Sequence, residues 1–209
     1  RGCKVLGMTR PVVALSLMLV FHAIAFGLRS WQQRRATGEL GFRGLSGRPG
    51  SPGWIGGVLF VLAIVGGLAA AVGEVCGWVA PLWQPGAWAL ALGGVLTLSG
   101  IAATYAAQLA MGSAWRIGVR AAERTPLVTG GAFRWVRNPI FTCMVGTAGG
   151  LTLLLPDALS LASLAALVLA VELQVRAVEE PHLLRVHGAL YRDYARRVGR
   201  FVPGLGRLG

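Results

Sequence analysis

Two short segments in the second half of the chain combine charged side chains with residues that shape the backbone. The first runs from Leu127 to Pro139 and contains adjacent glycines, Gly130 and Gly131, which allow a close backbone approach to a ligand. Pro139 is suited to start a helix, so the polar residues just before it are expected at a helix end. The segment is a candidate ligand-binding loop, although a simple capped helix start explains the same residues.

The second segment places acidic and basic side chains at the end of an apolar stretch. Spacings of four, three and four residues put these charges along one helical face: Glu172, Arg176 and then Glu179 or Glu180. Ionisable groups at a membrane edge are costly and favour a functional interpretation. An intrahelical ion-pair ladder explains Glu172 with Arg176 equally well, but two adjacent acids exceed what such a ladder needs.

The composition indicates that a membrane surrounds these segments. Of 209 residues, 55% are hydrophobic and 13% are charged, whereas an ordinary soluble domain has roughly a quarter of its residues charged. This apolar composition excludes intrinsic disorder. Three cysteines without a CxxC pair or a Cys/His cluster argue against a disulfide framework and a structural zinc site, and the isolated histidines give little support for metal ligation.

Five stretches are long and apolar enough to cross a bilayer, which takes roughly 20 residues. They run approximately over Val12 to Leu28, Trp54 to Val72, Ala87 to Met111, Pro139 to Leu155 and Ala158 to Val175. Little more than Pro156 and Asp157 joins the last two, which predicts a tight antiparallel hairpin. The predicted fold is therefore an all-α integral membrane protein with about five transmembrane helices.

A basic amphipathic helix is predicted after the fifth span. Apolar or aromatic residues recur at helical spacing between Leu183 and Phe201, and arginines occupy the remaining positions. Such a helix lies at a membrane interface or packs across the mouth of the helix bundle.

Arginines are concentrated in every other connection between the predicted spans. Five lie between the first and second spans and five between the third and fourth, whereas the other two connections have no Lys or Arg. The positive-inside rule then places the N-terminus outside and the C-terminus in the cytoplasm. The net charge of +12 is thus assigned to topology rather than to nucleic-acid binding. Arg1, Lys4 and Arg10 conflict with this orientation, and residues 23–25 resemble a signal-peptidase site.

Together the two charged segments resemble motifs of the integral-membrane methyltransferases that include isoprenylcysteine carboxyl methyltransferase and phospholipid N-methyltransferases. The first motif is represented by Leu127, Val128, Gly131 and Phe133, followed by Arg137, Asn138, Pro139 and Phe141. The second is represented by Glu179, Glu180, Leu183, His187, Gly188, Tyr191, Tyr194 and Pro203. The resemblance covers roughly residues 111–203.

This resemblance implies methyl transfer from S-adenosylmethionine to a hydrophobic or lipid-like molecule that enters from the bilayer. It divides the chain into a three-span region, 1–110, and a catalytic region, 111–209, that contains the hairpin and the C-terminal helix. It implies catalytic roles for Arg137, Arg176 and Glu179. Cofactor binding is implied for Leu127, Val128, Gly131, Phe133, Arg137, Asn138, Pro139, Glu180, Leu183 and Tyr194. A cytoplasmic active site follows from the predicted orientation.

Three residues depart from the family pattern: Asn138 replaces His, Phe141 replaces Tyr, and Pro181 follows the acidic pair. Carboxyl O-methylation is the first choice and amine N-methylation of a phospholipid is the second. Membrane sterol reductases, which use NADPH, have a similar C-terminal pattern, but they tend to have Glu-Arg-Asp where this chain has Glu179 and Glu180. An inactive homologue is the remaining alternative, because Asn138 cannot act as a base near neutral pH.

Overall fold

Helices form the regular secondary structure of the described chain. The structure is a computed structural model, and it describes residues 2–42, 44, 47–118 and 125–209. Within these residues, four helices are long and apolar enough to cross a membrane: Thr9–Thr37, Pro52–Cys76, Ala87–Ala110 and Ala158–His187. A further apolar helix, Pro139–Leu154, is shorter. The predicted all-α membrane architecture with about five spans is confirmed.

The long helices contain irregular turns, and the individual elements are named in chain order. They are α1 (Gly2–His22), a π-helical turn (Ala23–Leu28), α2 (Arg29–Thr37), α3 (Pro52–Cys76), α4 (Ala87–Ala110), α5 (Pro139–Leu154), α6 (Ala158–Gln174), a second π-helical turn (Val175–Glu179), α7 (Glu180–His187) and α8 (Ala189–Arg197). Short 3-10 turns at Gly112–Ala114 and Gly131–Arg134 lie in the segment between α4 and α5.

The helices continue beyond the apolar stretches that predicted them. The first continues through its π-helical turn to Thr37, and the fifth continues through a second such turn to His187. The predicted C-terminal amphipathic helix is present in two parts, α7 and α8. Gly188 separates them because its φ of 54° is incompatible with a continuous right-handed helix.

Small residues let the helices approach closely. α4 packs along α5, and α3 packs along α6. A Cβ atom added to Gly150 on α5 would lie 2.7 Å from the Thr97 amide nitrogen on α4. A Cβ atom added to Gly56 on α3 would lie 3.2 Å from the Ala170 carbonyl oxygen on α6. Glycine is therefore needed at the α4–α5 crossing, and at the α3–α6 crossing any side chain would push the neighbouring helix by a few tenths of an ångström. Small residues at such crossings are common where helices pack in lipid.

A short connection joins α5 to α6, as predicted. Asp157 caps α6, and its Oδ1 atom accepts hydrogen bonds from the Leu159 and Ser160 amides at 2.9 and 3.0 Å. This cap satisfies two backbone donors that a helix start otherwise leaves without partners. The connection thus fixes α6 beside α5 at one end of the bundle.

The two ends of the bundle differ in charge. The basic end carries α2, the segment before α5, and α7 and α8. The opposite end carries the α3–α4 and α5–α6 connections, and there Arg10 forms an ion pair with Glu74 and donates to the Leu154 carbonyl oxygen at 2.9 Å. Glu74 thus offsets a charge that conflicts with the predicted orientation. Arg1, Arg43, Arg120 and Arg124 belong to the charge pattern but lie outside the described residues.

Candidate active site

A cavity of about 630 Å³ lies between the helices toward the basic end. This volume falls within the range of small-molecule sites, roughly 300 to 1,000 Å³. Both segments that the sequence singled out contribute to its walls. The predicted site residues that line it are Leu127, Val128, Phe133, Arg137, Asn138, Pro139, Glu179, Leu183 and Tyr194.

The lining changes from polar to apolar with depth. Near the basic end it includes Arg116, Asn138 and Glu179. One to two helical turns further into the bundle it consists of side chains such as Phe60 and Met144. The cavity therefore has a polar mouth and an apolar interior, an arrangement suited to an amphiphilic ligand.

The first half of the chain supplies part of this cavity. Gln108 on α4 lines it, is only 2% exposed, and donates from Nε2 to the Ala25 carbonyl oxygen at 3.0 Å. That carbonyl belongs to the first π-helical turn, and such turns often occur at functional sites. Residues 1–110 and 111–209 thus build one cavity together.

The two motif segments are joined by backbone hydrogen bonds. The Arg137 amide donates to the Gly199 carbonyl oxygen at 2.8 Å, and the Asn138 amide donates to the Arg200 carbonyl oxygen at 3.1 Å. The Asn138 side chain donates to that same carbonyl oxygen from Nδ2, also at 3.1 Å. Thr142 donates from Oγ1 to the Phe201 carbonyl oxygen at 2.9 Å. The residues after α8 are thereby held against the start of α5.

Arg137 is buried, and its guanidinium is engaged by the protein itself. Its Nη2 atom lies 2.5 Å from Glu180 Oε1, and its Nη1 atom donates to the Ala195 and Val198 carbonyl oxygens at 2.9 and 2.6 Å. A further bond from Nη2 reaches the Gly206 carbonyl oxygen at 3.1 Å. These bonds tie the segment after α8 to the acid on α7.

Glu180 also binds a second arginine. Arg200 donates from Nε to Oε1 at 2.8 Å and from Nη2 to Oε2 at 2.9 Å. Hydrogen bonding to Glu180 raises the pKa of Arg200, so this guanidinium stays charged. The buried carboxylate of Glu180 is therefore compensated by two guanidinium groups, and Glu180 is not among the described residues that line the cavity.

Glu179 is placed differently from its neighbour. It ends the second π-helical turn, is half-buried and lines the cavity. Gln174 hydrogen bonds to its carboxylate, and the positive charge of Arg116 acts on it. Arg116 also lines the cavity and donates to Thr125 Oγ1 at 2.5 Å. An acidic and a positively charged side chain from distant parts of the chain thus both lie at the polar mouth.

Two tyrosines on α8 form the wall beside the first motif. Tyr194 donates from its hydroxyl to the Phe133 carbonyl oxygen at 2.5 Å, and its ring meets Tyr191 edge to face. Burial raises the pKa of each phenol to about 12. Both hydroxyls are therefore protonated at neutral pH, and that of Tyr194 serves as a donor.

Arg176 and Gly131 lie outside this lining. The Arg176 side chain is 58% exposed and forms an ion pair with Glu172 one turn earlier, as the ladder interpretation of the spacing expects. Gly131 adopts a φ of 58° and starts a 3-10 turn, so it shapes the loop that carries Phe133. Their proposed roles stay predictions from the family resemblance.

Several polar lining residues were given no role in the sequence interpretation, among them Gln108, Arg116 and His182. Arg116 was counted only as a topology charge, while His182 and His187 were treated as isolated. The location of the two histidines on a shared surface could have been predicted, because positions 182, 183, 186 and 187 follow the spacing of one helical face. Arg116 had no such signal, since it lies in a connection without regular periodicity.

Comparison with known proteins adds an independent observation. Residues 88–189 match the model of the phospholipid methyltransferase family. This segment therefore belongs to the phospholipid methyltransferase family. The family segment begins in α4 and includes α5, α6 and α7, with the whole first motif and the acidic pair. No curated protein sequence matches the chain.

A solved structure of a eukaryotic intramembrane Ras methyltransferase, isoprenylcysteine carboxyl methyltransferase, is similar in fold. The TM-score is 0.60 and the sequence identity is 20%, over 93% of this chain and 66% of that one. This chain thus spans less than two thirds of that protein's length. Together with the family segment, this similarity confirms the suspected family and the membrane methyltransferase fold.

Proposed function

We propose that the protein is an S-adenosylmethionine-dependent methyltransferase that O-methylates a carboxylate on a hydrophobic or lipid-like molecule. The observation that carries this proposal is the cavity of about 630 Å³ with a polar mouth and an apolar interior, walled by both motif segments. The family of residues 88–189 supports methyl transfer as the reaction. The fold shared with a carboxyl methyltransferase supports a carboxylate acceptor.

The residues at the mouth suit S-adenosylmethionine. Glu179 offers a carboxylate for the cationic amino group of the cofactor, and Arg116 offers a guanidinium for its carboxylate. Phe133 and Leu183 supply apolar surface for an adenine ring. Charged groups of both signs beside an apolar wall match a zwitterionic nucleoside.

When bound, this cofactor supplies a methyl group that is electrophilic because it is attached to a sulfonium sulfur. The chain's own residues then have to hold the acceptor in line and exclude water. A carboxylate is already ionised at pH 7, so Asn138 need not act as a base. Arg137 and Glu180 act as positioning residues, because they fix the segment after α8 beside the mouth.

A phospholipid amine is the second candidate acceptor. The family that residues 88–189 match is named for phospholipid methylation. An ammonium group must lose a proton before its nitrogen can attack, and Glu179 places a carboxylate at the mouth that can accept one. The two acceptors therefore differ in whether a base is needed.

Purified protein in detergent tests the proposal in two stages. Calorimetry with S-adenosylmethionine, S-adenosylhomocysteine and NADPH should show binding of the first two, whereas binding of NADPH alone would favour a reductase. Radiolabelled methyl transfer to a long-chain fatty acid and to phosphatidylethanolamine then separates the acceptors, because alkali releases methanol from a methyl ester and not from a methylamine. The same calorimetry is applied to Glu179→Gln, which changes the acid at the mouth, and to Glu172→Gln as its matched control. Donor binding without transfer to either class would favour an inactive homologue.

We also propose that the mouth faces the cytoplasm. Positively charged connections are retained on the cytoplasmic side, and the basic end carries the mouth. S-adenosylmethionine would then reach the site from the cytoplasm, while the acceptor would enter sideways from the bilayer.

A further inference from the structure

A second, smaller cavity of about 70 Å³ lies deeper in the bundle, between α1, α3, α5 and α6. It has four lining residues in common with the larger cavity: Phe26, Phe60, Ile64 and Met144. The two cavities are therefore neighbours, and these shared side chains lie between them.

An aromatic contact dominates this boundary. The ring centroids of Phe26 and Phe60 lie 6.3 Å apart with an angle of 81° between the ring planes, an edge-to-face pair. Phe26 comes from the first π-helical turn, and Phe60 comes from α3. Each ring therefore lines both cavities at the boundary between them.

The polar groups that line the smaller cavity are already satisfied. Its hydroxyl groups donate to oxygen atoms of α5 and α6: Thr147, Thr152, Ser160 and Ser163. The Nδ1 atom of His22 lies 2.7 Å from the Met18 carbonyl oxygen, and a carbonyl partner requires that this nitrogen donates. These donors therefore need no hydrogen-bond acceptor from an occupant, and the otherwise apolar lining favours hydrocarbon over water.

We propose that the smaller cavity receives the far end of a lipid substrate's hydrocarbon chain, and that Phe26 and Phe60 set the longest chain that the protein accepts. This inference rests on the proposed function, because it takes the methyl acceptor to carry such a chain. The reactive head lies at the polar mouth, and the chain extends through the apolar interior to the aromatic pair. A chain that ends before the pair binds without displacing it, whereas a longer chain has to rotate a ring.

The test measures binding of unbranched fatty acids of increasing length to purified protein without a methyl donor. In the natural protein, affinity rises about fourfold per added carbon, the effect of burying one methylene group, and stops rising where the chain meets the pair. Phe60→Ala moves this limit to longer chains, and Phe60→Trp moves it to shorter ones. Phe26→Ala repeats the first result from the other wall, so a local defect in α3 cannot mimic it.

Leu62→Ala is the matched control, because Leu62 lies on the same helix, is 55% exposed and lines neither cavity. The same length limit in the natural protein and in the Phe26 and Phe60 variants would overturn the inference, as would a lack of binding by every chain. Methyl transfer to the same acids separates the two proposals. A shifted binding limit without methyl transfer would contradict only the proposed reaction, whereas methyl transfer with an unshifted limit would contradict only the role of the aromatic pair.

Discussion

Arg137 and Glu180 form a buried ion pair, with 2.5 Å between Nη2 and Oε1, that joins the start of α5 to the start of α7. Both residues belong to the motifs that the sequence connects with cofactor binding. Their charges are nevertheless directed at each other, at Arg200 and at backbone carbonyl oxygens. This geometry gives the ion pair a supporting role rather than a direct contact with the methyl donor.

Glu180→Gln should therefore destabilise the protein. The substitution leaves two guanidinium groups without their carboxylate, and removal of one partner from a buried ion pair costs about 3 to 5 kcal/mol. Denaturation in detergent, followed by circular dichroism, measures the loss in the free energy of unfolding. A Glu180→Gln protein that is as stable as the natural one and binds the donor less tightly would instead give Glu180 a direct contact.

Glu179→Gln should instead weaken binding of the methyl donor and leave the stability of the protein nearly unchanged. Its side chain lines the cavity and lies outside the Arg137 network, so stability should change little. Loss of a charged hydrogen bond of about 1.5 to 3 kcal/mol should weaken donor binding roughly tenfold to a hundredfold. Calorimetry with S-adenosylhomocysteine measures this change, and Glu172→Gln should bind like the natural protein. Unchanged affinity in the Glu179 variant would remove this acid from the donor site.

Asn138 offers a test of the family pattern, which has His at this position. Asn138→His keeps an N–H donor for the Arg200 carbonyl oxygen, so methyl transfer should stay within about tenfold of the natural rate. Asn138→Leu removes the side-chain hydrogen bond and leaves the backbone amide as the only partner from residue 138, which should raise the dissociation constant of S-adenosylmethionine by the equivalent of about 1 kcal/mol, the net contribution of one hydrogen bond.

Methyl transfer measured from pH 6 to 9 compares the three proteins. A gain of several hundredfold in Asn138→His, with a new titration near neutral pH, would show that the natural protein lacks a base. That outcome would favour an inactive homologue.

The fold could be predicted from the sequence to a greater extent than the site. Uncharged stretches of about 20 residues are a strong signal because lipid excludes polar groups. Helix ends carry a weaker signal: α2 is polar throughout much of its length and still continues the first helix. A hydropathy pattern reports where lipid ends, not where helical hydrogen bonding ends.

The motifs predicted most of the residues that line the cavity, but Gly131, Arg176 and Glu180 lie outside the lining, and the motifs did not predict what each residue contacts. Glu179 and Glu180 are adjacent in sequence, and only the geometry of the second π-helical turn and the position of Arg200 distinguish them. Arg116 comes from a connection whose path depends on tertiary packing. Such contacts between distant segments have no local pattern in the sequence.

Stability should depend on pH above the neutral range. Burial raises the pKa of Tyr191 and Tyr194 to about 12, against about 10 in an unfolded chain. Between these values the unfolded chain releases phenolic protons that the folded protein retains, so stability is complete below about pH 10 and falls as the pH approaches 12. Thermal midpoints from pH 8 to 11.5 measure this slope. Tyr194→Phe should reduce it, and an unchanged slope would exclude this phenol as its source.

Thiol labelling tests the proposed orientation. Cys76 is exposed at the end of α3 on the opposite end of the bundle. In a Cys3→Ser background, an impermeant maleimide added to intact cells should label Cys76, while half-buried Cys143 stays protected. Cys76→Ser is the control for specificity. Labelling of Cys76 only after permeabilisation would place the mouth on the outer face.

The length of α5 has a consequence for the depth of the reaction. Its 16 residues span about 24 Å, whereas the hydrocarbon core is about 30 Å thick. Since Arg10 holds the Leu154 carbonyl oxygen at one end, Asn138 at the other end is expected below the level of the lipid head groups. If the protein acts as proposed, the charged donor has to descend into a recess, while a lipid head group only tilts inward. Transfer in such a recess takes place where the dielectric constant is lower than in water and each charge acts more strongly on its neighbours.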